Sequence, residues 1–252
     1  MKKVLAFDLD DTLAVSKAPL SDRIADILVQ ALDNFDICII SGGKFDIFKT
    51  NVIARLKAGD KQLTRLHLMP TCGTRYYRYD SVKQEWVQQY AEDLAAAEKE
   101  KIITAAEKAA KGLGMWPANP YGEVIEDRDS QISISMLGQM APPEKKKEWA
   151  DKYSDERAKL REVIAEQIPE FEVRAGGMTT IDITRVGIDK AYGMQKLMQE
   201  LEIAKDDILF FGDKLQEGGN DYPVKAFGID SLEVSRWEDT ALVLEGILHV
   251  TK

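Results

Sequence analysis

A chain of 252 residues with a net charge of −9 and two cysteines is long enough for one large or two modest hydrophobic cores. The acidic excess leaves no basic stripe for nucleic acid, two thiols build no disulfide framework, and no apolar run is long enough to span a membrane. The only histidines, His67 and His249, exclude a multi-histidine metal centre and leave acid–base work to carboxylates or lysine.

The elements follow from where the hydrophobic period changes. Val4-Leu5-Ala6 opens a buried strand that runs into the cluster Phe7-Asp8-Leu9-Asp10-Asp11-Thr12. Asp8 interrupts this apolar run too early for a signal peptide, so the chain reads as cytoplasmic, with a small molecule as its partner. Helices are predicted over 21–32 and 44–56 and strands over 36–40, which ends at Ser41, and 66–69. That is a βαβαβ start and implies a parallel sheet. A short hairpin, 75–79 with 85–87, comes next.

Two long amphipathic helices follow, one marked by Tyr90, Leu94, Ile102, Ala105, Ala109 and Leu113, the other by Trp149, Tyr153, Leu160, Val163 and Ile164 after Pro142-Pro143. Strand-like stretches at 122–125, 131–136, 172–174 and 179–183 alternate in polarity, as suits an antiparallel sheet with one apolar face. From Asp189 the α/β alternation resumes: a helix to about 201, strands over 207–211 and 226–229, and a final helix over 238–248. The expected organisation is a discontinuous α/β core, 1–80 and 187–252, with an α+β insert over 81–186.

The second acidic cluster lies after Ile208-Leu209-Phe210-Phe211, running from Gly212-Asp213 to Gly218-Gly219-Asn220-Asp221. Parallel strands bring their C-terminal ends to one edge, the ligand-binding edge of such sheets. An acidic pair after one strand often serves only as a helix cap or solvated turn. Two clusters at one edge repel each other unless a hard cation such as Mg²⁺ lies between them, so the pairing predicts a phosphate-handling metal site.

These motifs, with Thr12, Ser41, Gly176-Gly177-Met178 leading to Asp182, and Asp189-Lys190, resemble the haloacid dehalogenase superfamily. The likeness runs over nearly the whole chain and is nearest to the capped branch containing phosphomannomutase and sugar-phosphate phosphatases. It implies a Rossmann-like core with an inserted cap, Mg²⁺ as cofactor, and an aspartyl-phosphate intermediate. Asp8 is then the nucleophile, and Asp10 the acid and base whose backbone carbonyl also binds metal. Asp213 is a further ligand, with Asn220 and Asp221 ordering the metal site from the same loop. Ser41, Gly42, Gly43 and Thr12 would bind phosphoryl oxygens, and Lys190 would supply fixed positive charge.

The resemblance puts substrate choice in the cap, where arginines clamp a sugar's distal phosphate. Arg128, Thr180 and Asp182 fall at matching positions, while Lys17 stands where relatives carry arginine. Gln139 replaces one clamping arginine, and Ala175 replaces another with Arg174 beside it; a one-residue shift on a strand reverses the face. Asp11 stands where relatives commonly carry glycine. With cap cations reduced, the expectation is hydrolysis of a sugar phosphate or similar small phosphomonoester. Phosphohexose mutase activity is the alternative, and an inactive phosphosugar-binding regulator a second one. The sequence leaves the oligomeric state open, with a homodimer among the expected arrangements.

Overall fold

The computed structural model describes residues 2–251. Two compact units form, Met1–Ala91 with Asp189–Lys252, and Glu92–Ile188.

The first unit is built on a seven-stranded sheet. Its strands are β1 (Val4–Asp8), β2 (Asp36–Ile40), β3 (Leu66–Met69), β4 (Arg75–Asp80) and β5 (Glu85–Ala91), and, after the second unit, β10 (Ile208–Gly212) and β11 (Asp230–Glu233). The order is β11-β10-β1-β2-β3-β4-β5, parallel from β11 to β3 and antiparallel through the β4–β5 hairpin. Both faces of the central strands are buried, as a parallel sheet requires. Leu5, Phe7, Ile37 and Ile39 pack with Ile24 and Leu28 of helix α1 (Asp22–Ala31) on one face. Val4, Ala6, Cys38 and Ile40 pack on the other with Met194 and Leu197. The register between β1 and β10 is set beside the acidic clusters, where Phe7 pairs with Phe211 and their rings stack at 4.7 Å.

The helix expected over 44–56 breaks. Helix α2 (Phe45–Asn51) stops at Val52 and a single 3₁₀ turn follows, then a one-turn helix α3 (Asp60–Leu63) leads to β3. The boundary expected at 80/81 falls inside the hairpin, between β4 and β5. Tyr77 stacks on Phe45 and Tyr76 joins the opposite core face, so both sides of β4 are buried by the core and the boundary moves to 91/92.

The second unit contains α4 (Ala96–Gly112), β6 (Ile125–Asp127), β7 (Ile132–Ser135), α5 (Pro143–Gln167), β8 (Phe171–Ala175) and β9 (Thr180–Arg185). Its sheet is antiparallel, ordered β6-β7-β9-β8. Ile132, Ile134, Ile181 and Ile183 pack with Ile102 of α4 and with Leu160 and Ile164 of α5. The alternate positions, among them Ser133, Thr180 and Asp182, form a polar face.

The chain returns through α6 (Lys190–Leu201), β10, α7 (Tyr222–Ala226), β11 and α8 (Trp237–Val250). The strand expected over 226–229 is displaced: 222–226 is helical with a proline in its first turn, where the missing N–H costs nothing, and pairing to β10 begins only at Asp230. Among the described residues no helix is long and apolar enough to cross a membrane.

Candidate active site

Strand order reverses at β1, with β2 and β3 laid down on one side and β10 and β11 on the other. Ligands of open α/β sheets bind at such a switch point, beyond the carboxyl ends of the strands. Asp8 is the last residue of β1, and Asp213 follows β10. One carboxylate oxygen from each of Asp8, Asp213 and Asp221 lies within 4.8 Å of the others.

Lys190, the first residue of α6, meets this cluster from a fixed direction because the Asp189 carboxylate caps the helix by accepting the Tyr192 N–H at 2.9 Å. Its ammonium lies 2.6 Å from Asp8 Oδ1 and 2.5 Å from Asp221 Oδ1, and its side chain is 1% exposed. Burial alone would lower the lysine's pKa, but the carboxylates of Asp221 and Asp8 outweigh it and raise the value. For Asp8, burial is the largest influence and raises its pKa well above the usual carboxylate range; Lys190 opposes this, and Asp221 and Asp10 add to it.

The loop after β10 is folded back on itself around Asp221. The Asp221 Oδ2 accepts the Lys214 N–H at 3.0 Å, and the Asp221 N–H donates to the Lys214 carbonyl. Two glycines permit this closure: a Cβ on Gly212 would lie 2.6 Å from the Asp221 carboxyl, and one on Gly219 would lie 2.1 Å from the Lys214 carbonyl oxygen. Both oxygens of Asp221 are thus engaged, whereas Asp213 Oδ1 is buried with no hydrogen-bond partner among the described residues. The Asp213 Oδ2 is 3.0 Å from Lys214 Nζ, and burial raises the Asp213 pKa. An all-oxygen donor set with an unspent buried oxygen and too little positive charge fits a hard cation such as Mg²⁺. Asn220 is exposed beside Asp221.

The Asp10 side chain stands outside that cluster, its Oδ1 accepting the Lys17 N–H at 2.7 Å. Asp11 adopts a left-handed conformation, φ +62°, which explains why glycine suits the position and why aspartate is tolerated there. Its carboxylate accepts the Ser16 N–H, so it caps the following turn. Thr12 Oγ1 is buried with no hydrogen-bond partner among the described residues, and its carbonyl accepts from Thr240 Oγ1 on α8 at 2.7 Å. Ser41, 2% exposed, sits at the end of β2 with its hydroxyl oxygen accepting the Gly43 N–H at 3.1 Å. That amide therefore orients Ser41, and is not spare for a phosphoryl oxygen as expected. Thr240 carried no signal of its own in the sequence, because it acts through a contact made only on folding; Lys214 was part of the second acidic motif, but its contact with Asp213 was not legible there.

In the second unit, Arg128 donates to Glu126 and its Nη1 lies 4.0 Å from Asp182 Oδ1, which also accepts from Ser133 Oγ at 2.6 Å. Arg174 pairs in register with Asp182, and Ala175 with Ile181. Arg174 therefore shares the polar face with Asp182, while Ala175 lies on the apolar one, so the face reversal that the sequence suggested for Arg174 counts in its favour. Arg174 is held by Glu172 at 2.9 Å and by the Ile188 carbonyl. Gln139 donates to the Ser133 carbonyl. Lys17 is exposed on the first unit.

A sequence profile of the eukaryotic phosphomannomutase family matches residues 24–249. The probable phosphomannomutase of Caenorhabditis elegans is 24% identical over 230 residues, covering 89% of this chain and 87% of the relative. Human phosphomannomutase 1 is 25% identical over 229 residues, covering 87% and 82%. Among solved structures, the N-terminally truncated, IMP-bound IMP-nucleotidase of Plasmodium falciparum superposes with a TM-score of 0.69 at 18% identity, over 98% of this chain and 68% of that one. A trehalose-6-phosphate phosphatase related protein gives 0.56 at 12% identity, over 99% and 98%. These two likenesses concern the fold, a Rossmann-like core with a cap. With a profile match across both units, the chain belongs to the eukaryotic phosphomannomutase family of haloacid dehalogenase-type phosphoryl-transfer enzymes.

Proposed function

We propose that the protein interconverts hexose phosphates by Mg²⁺-dependent phosphoryl transfer through a phosphorylated Asp8, acting in the cytoplasm. The observation that carries this reading is the convergence of the Asp8, Asp213 and Asp221 carboxylates, with Asp8 and Asp221 held by a lysine that is 1% exposed. The mutase form, rather than the hydrolysis favoured from sequence alone, is supported by the family match and by two arginines, Arg128 and Arg174, on the polar face of the antiparallel sheet.

In the first step an Asp8 oxygen bonds phosphorus and the bond from phosphorus to the sugar oxygen breaks. Asp10 gives its proton to the departing alkoxide. In the second step Asp10 takes a proton from the free hydroxyl of a hexose monophosphate, whose oxygen bonds the phosphorus as its bond to Asp8 breaks, so that hexose 1,6-bisphosphate is the donor of the first step and the product of the second. Lys190 holds Asp8 and Asp221 in place and offsets their charge, while the Ser41 hydroxyl, the Gly42 amide and Thr12 face the phosphoryl oxygens. Mg²⁺, when bound by Asp8, Asp213 and the Asp10 carbonyl within a loop ordered by Asn220 and Asp221, would neutralise the phosphoryl oxygens and favour ionised Asp8. Arg128, Arg174, Thr180, Asp182 and Lys17 would receive the rest of the substrate.

Hydrolysis is the second reading, favoured by the neutral Gln139, whose amide is spent on the Ser133 carbonyl. Mannose 1-phosphate or glucose 1-phosphate, supplied with Mg²⁺ and a trace of hexose 1,6-bisphosphate, separates the two. The proposal expects 6-phosphate to accumulate with little inorganic phosphate. Phosphate release outrunning 6-phosphate formation would replace the mutase with a phosphatase.

A further inference from the structure

Lys17 is held in a left-handed conformation, φ +61°, one that lysine rarely adopts and that no glycine relieves. The conformation has a use: it aims the Lys17 N–H at Asp10 Oδ1, 2.7 Å away. What holds it is Asn51, the last residue of α2. Its amide Nδ2 donates to the Lys17 carbonyl at 3.1 Å, its backbone carbonyl accepts the Leu20 N–H at 2.9 Å, and its Oδ1 accepts from Thr50 Oγ1 at 3.1 Å. Asn51 is 8% exposed. A buried residue with two bonds from its side-chain amide and one to its backbone carbonyl ties the loop after β1 to a helix that carries no group of the reaction.

We propose that Asn51 is a positioning residue for the proton donor. Through the Lys17 peptide it fixes which oxygen of Asp10 carries the transferred proton. An oxygen that accepts an N–H bond presents a lone pair to it, so in the protonated acid the hydrogen resides on Oδ2. As the phosphorus–alkoxide bond breaks and its electron pair moves to the sugar oxygen, that Oδ2 proton goes to the same oxygen. Without the Asn51 bond, the Lys17 peptide leaves its strained conformation, Asp10 loses its anchor, and proton delivery suffers while Asp8, Lys190 and the acidic loop stay as they are.

The inference rests on phosphoryl transfer through Asp8, and its test separates the two. The readout is the limiting rate of phosphoenzyme formation at saturating donor, with Mg²⁺, by acid quench. Hexose 1,6-bisphosphate has an alkoxide leaving group that needs a proton; p-nitrophenyl phosphate leaves as a stable phenolate that does not. Limiting rates exclude any loss of donor binding through the Lys17 side chain. In Asn51→Leu, and in the isosteric Asn51→Asp, the rate with the bisphosphate should fall about tenfold or more beyond the fall with p-nitrophenyl phosphate, since misplacing a catalytic group by about 1 Å can cost on the order of 10²-fold. Comparing two donors on one preparation cancels any unfolded fraction. Equal falls on both donors, or none on either, would overturn the positioning role. An unsubstituted protein that neither donor phosphorylates would overturn the Asp8 reading itself, and the inference with it.

Discussion

Replacing Lys190 by methionine tests the electrostatics of the site without changing its volume much. In the folded protein its ammonium is 2.6 Å from Asp8 and 2.5 Å from Asp221, with side chains 1%, 5% and 0% exposed. Removing the cation from such a cluster leaves two buried carboxylates uncompensated, and breaking a buried pair in this way costs about 3–5 kcal/mol. Lys190→Met should therefore unfold at lower urea concentration at pH 8 with an unchanged denaturant slope. The pH dependence has a definite sign. Burial and the neighbouring carboxylates raise the pKa of Asp8 even with Lys190 present; without it the folded value rises further above the unfolded one. A group of that kind favours the folded state once protonated, so the variant regains stability as pH falls through the raised folded value, and its deficit shrinks. A loss below about 1 kcal/mol at pH 8, or one that grows toward acid, would refute the uncompensated-charge argument.

Asp8→Asn should remain folded and lose turnover on every donor, because an amide is a poor nucleophile and a weak ligand for a hard cation; circular dichroism checks the fold, and assays of hexose 6-phosphate formation and of p-nitrophenol release check turnover. Asp213→Ala should weaken Mg²⁺ binding to the protein, read by calorimetry with the metal alone, since it removes the unspent buried oxygen; unchanged affinity would remove Asp213 from the ligand set. Arg174→Ala should raise KM for hexose 1,6-bisphosphate by about tenfold, the order expected for one charge-assisted contact to phosphate, and an unchanged KM would return Arg174 to a structural pairing with Glu172. Burial lowers the His67 pKa to about 4, so its contribution is complete above the unfolded value of about 6.5 and is lost as pH falls through 4. His67→Gln should flatten urea stability between those limits, whereas an identical acid limb would contradict the assignment.

The core was legible because its signals are local. Strands 36–40 and 66–69 were read to the residue because each is a short apolar run closed by a turn. Ser21 and Asp189 announce the helices they cap. The carboxylates could be placed together because parallel strands share one edge, whatever the details of packing. What failed depended on partners far away in sequence. The β4–β5 hairpin looks like any polar hairpin until Tyr76 and Tyr77 are seen buried on opposite faces of the core sheet. Gly43 reads as a phosphate-binding amide, yet its N–H goes to Ser41. The face of Arg174 depended on a register with β9 that strand periodicity alone does not supply. Asn51 resembled one more polar position on an amphipathic helix, since nothing local ties it to a peptide 34 residues earlier.

Chemical mapping of the phosphoenzyme tests the central claim most directly. The protein, incubated with Mg²⁺ and hexose 1,6-bisphosphate, acid-quenched and digested, should yield a hydroxylamine-labile phosphate on the peptide containing Asp8, and none from Asp8→Asn. Phosphate on Ser41 or any other side chain, or turnover with no acyl phosphate on Asp8, would contradict the account.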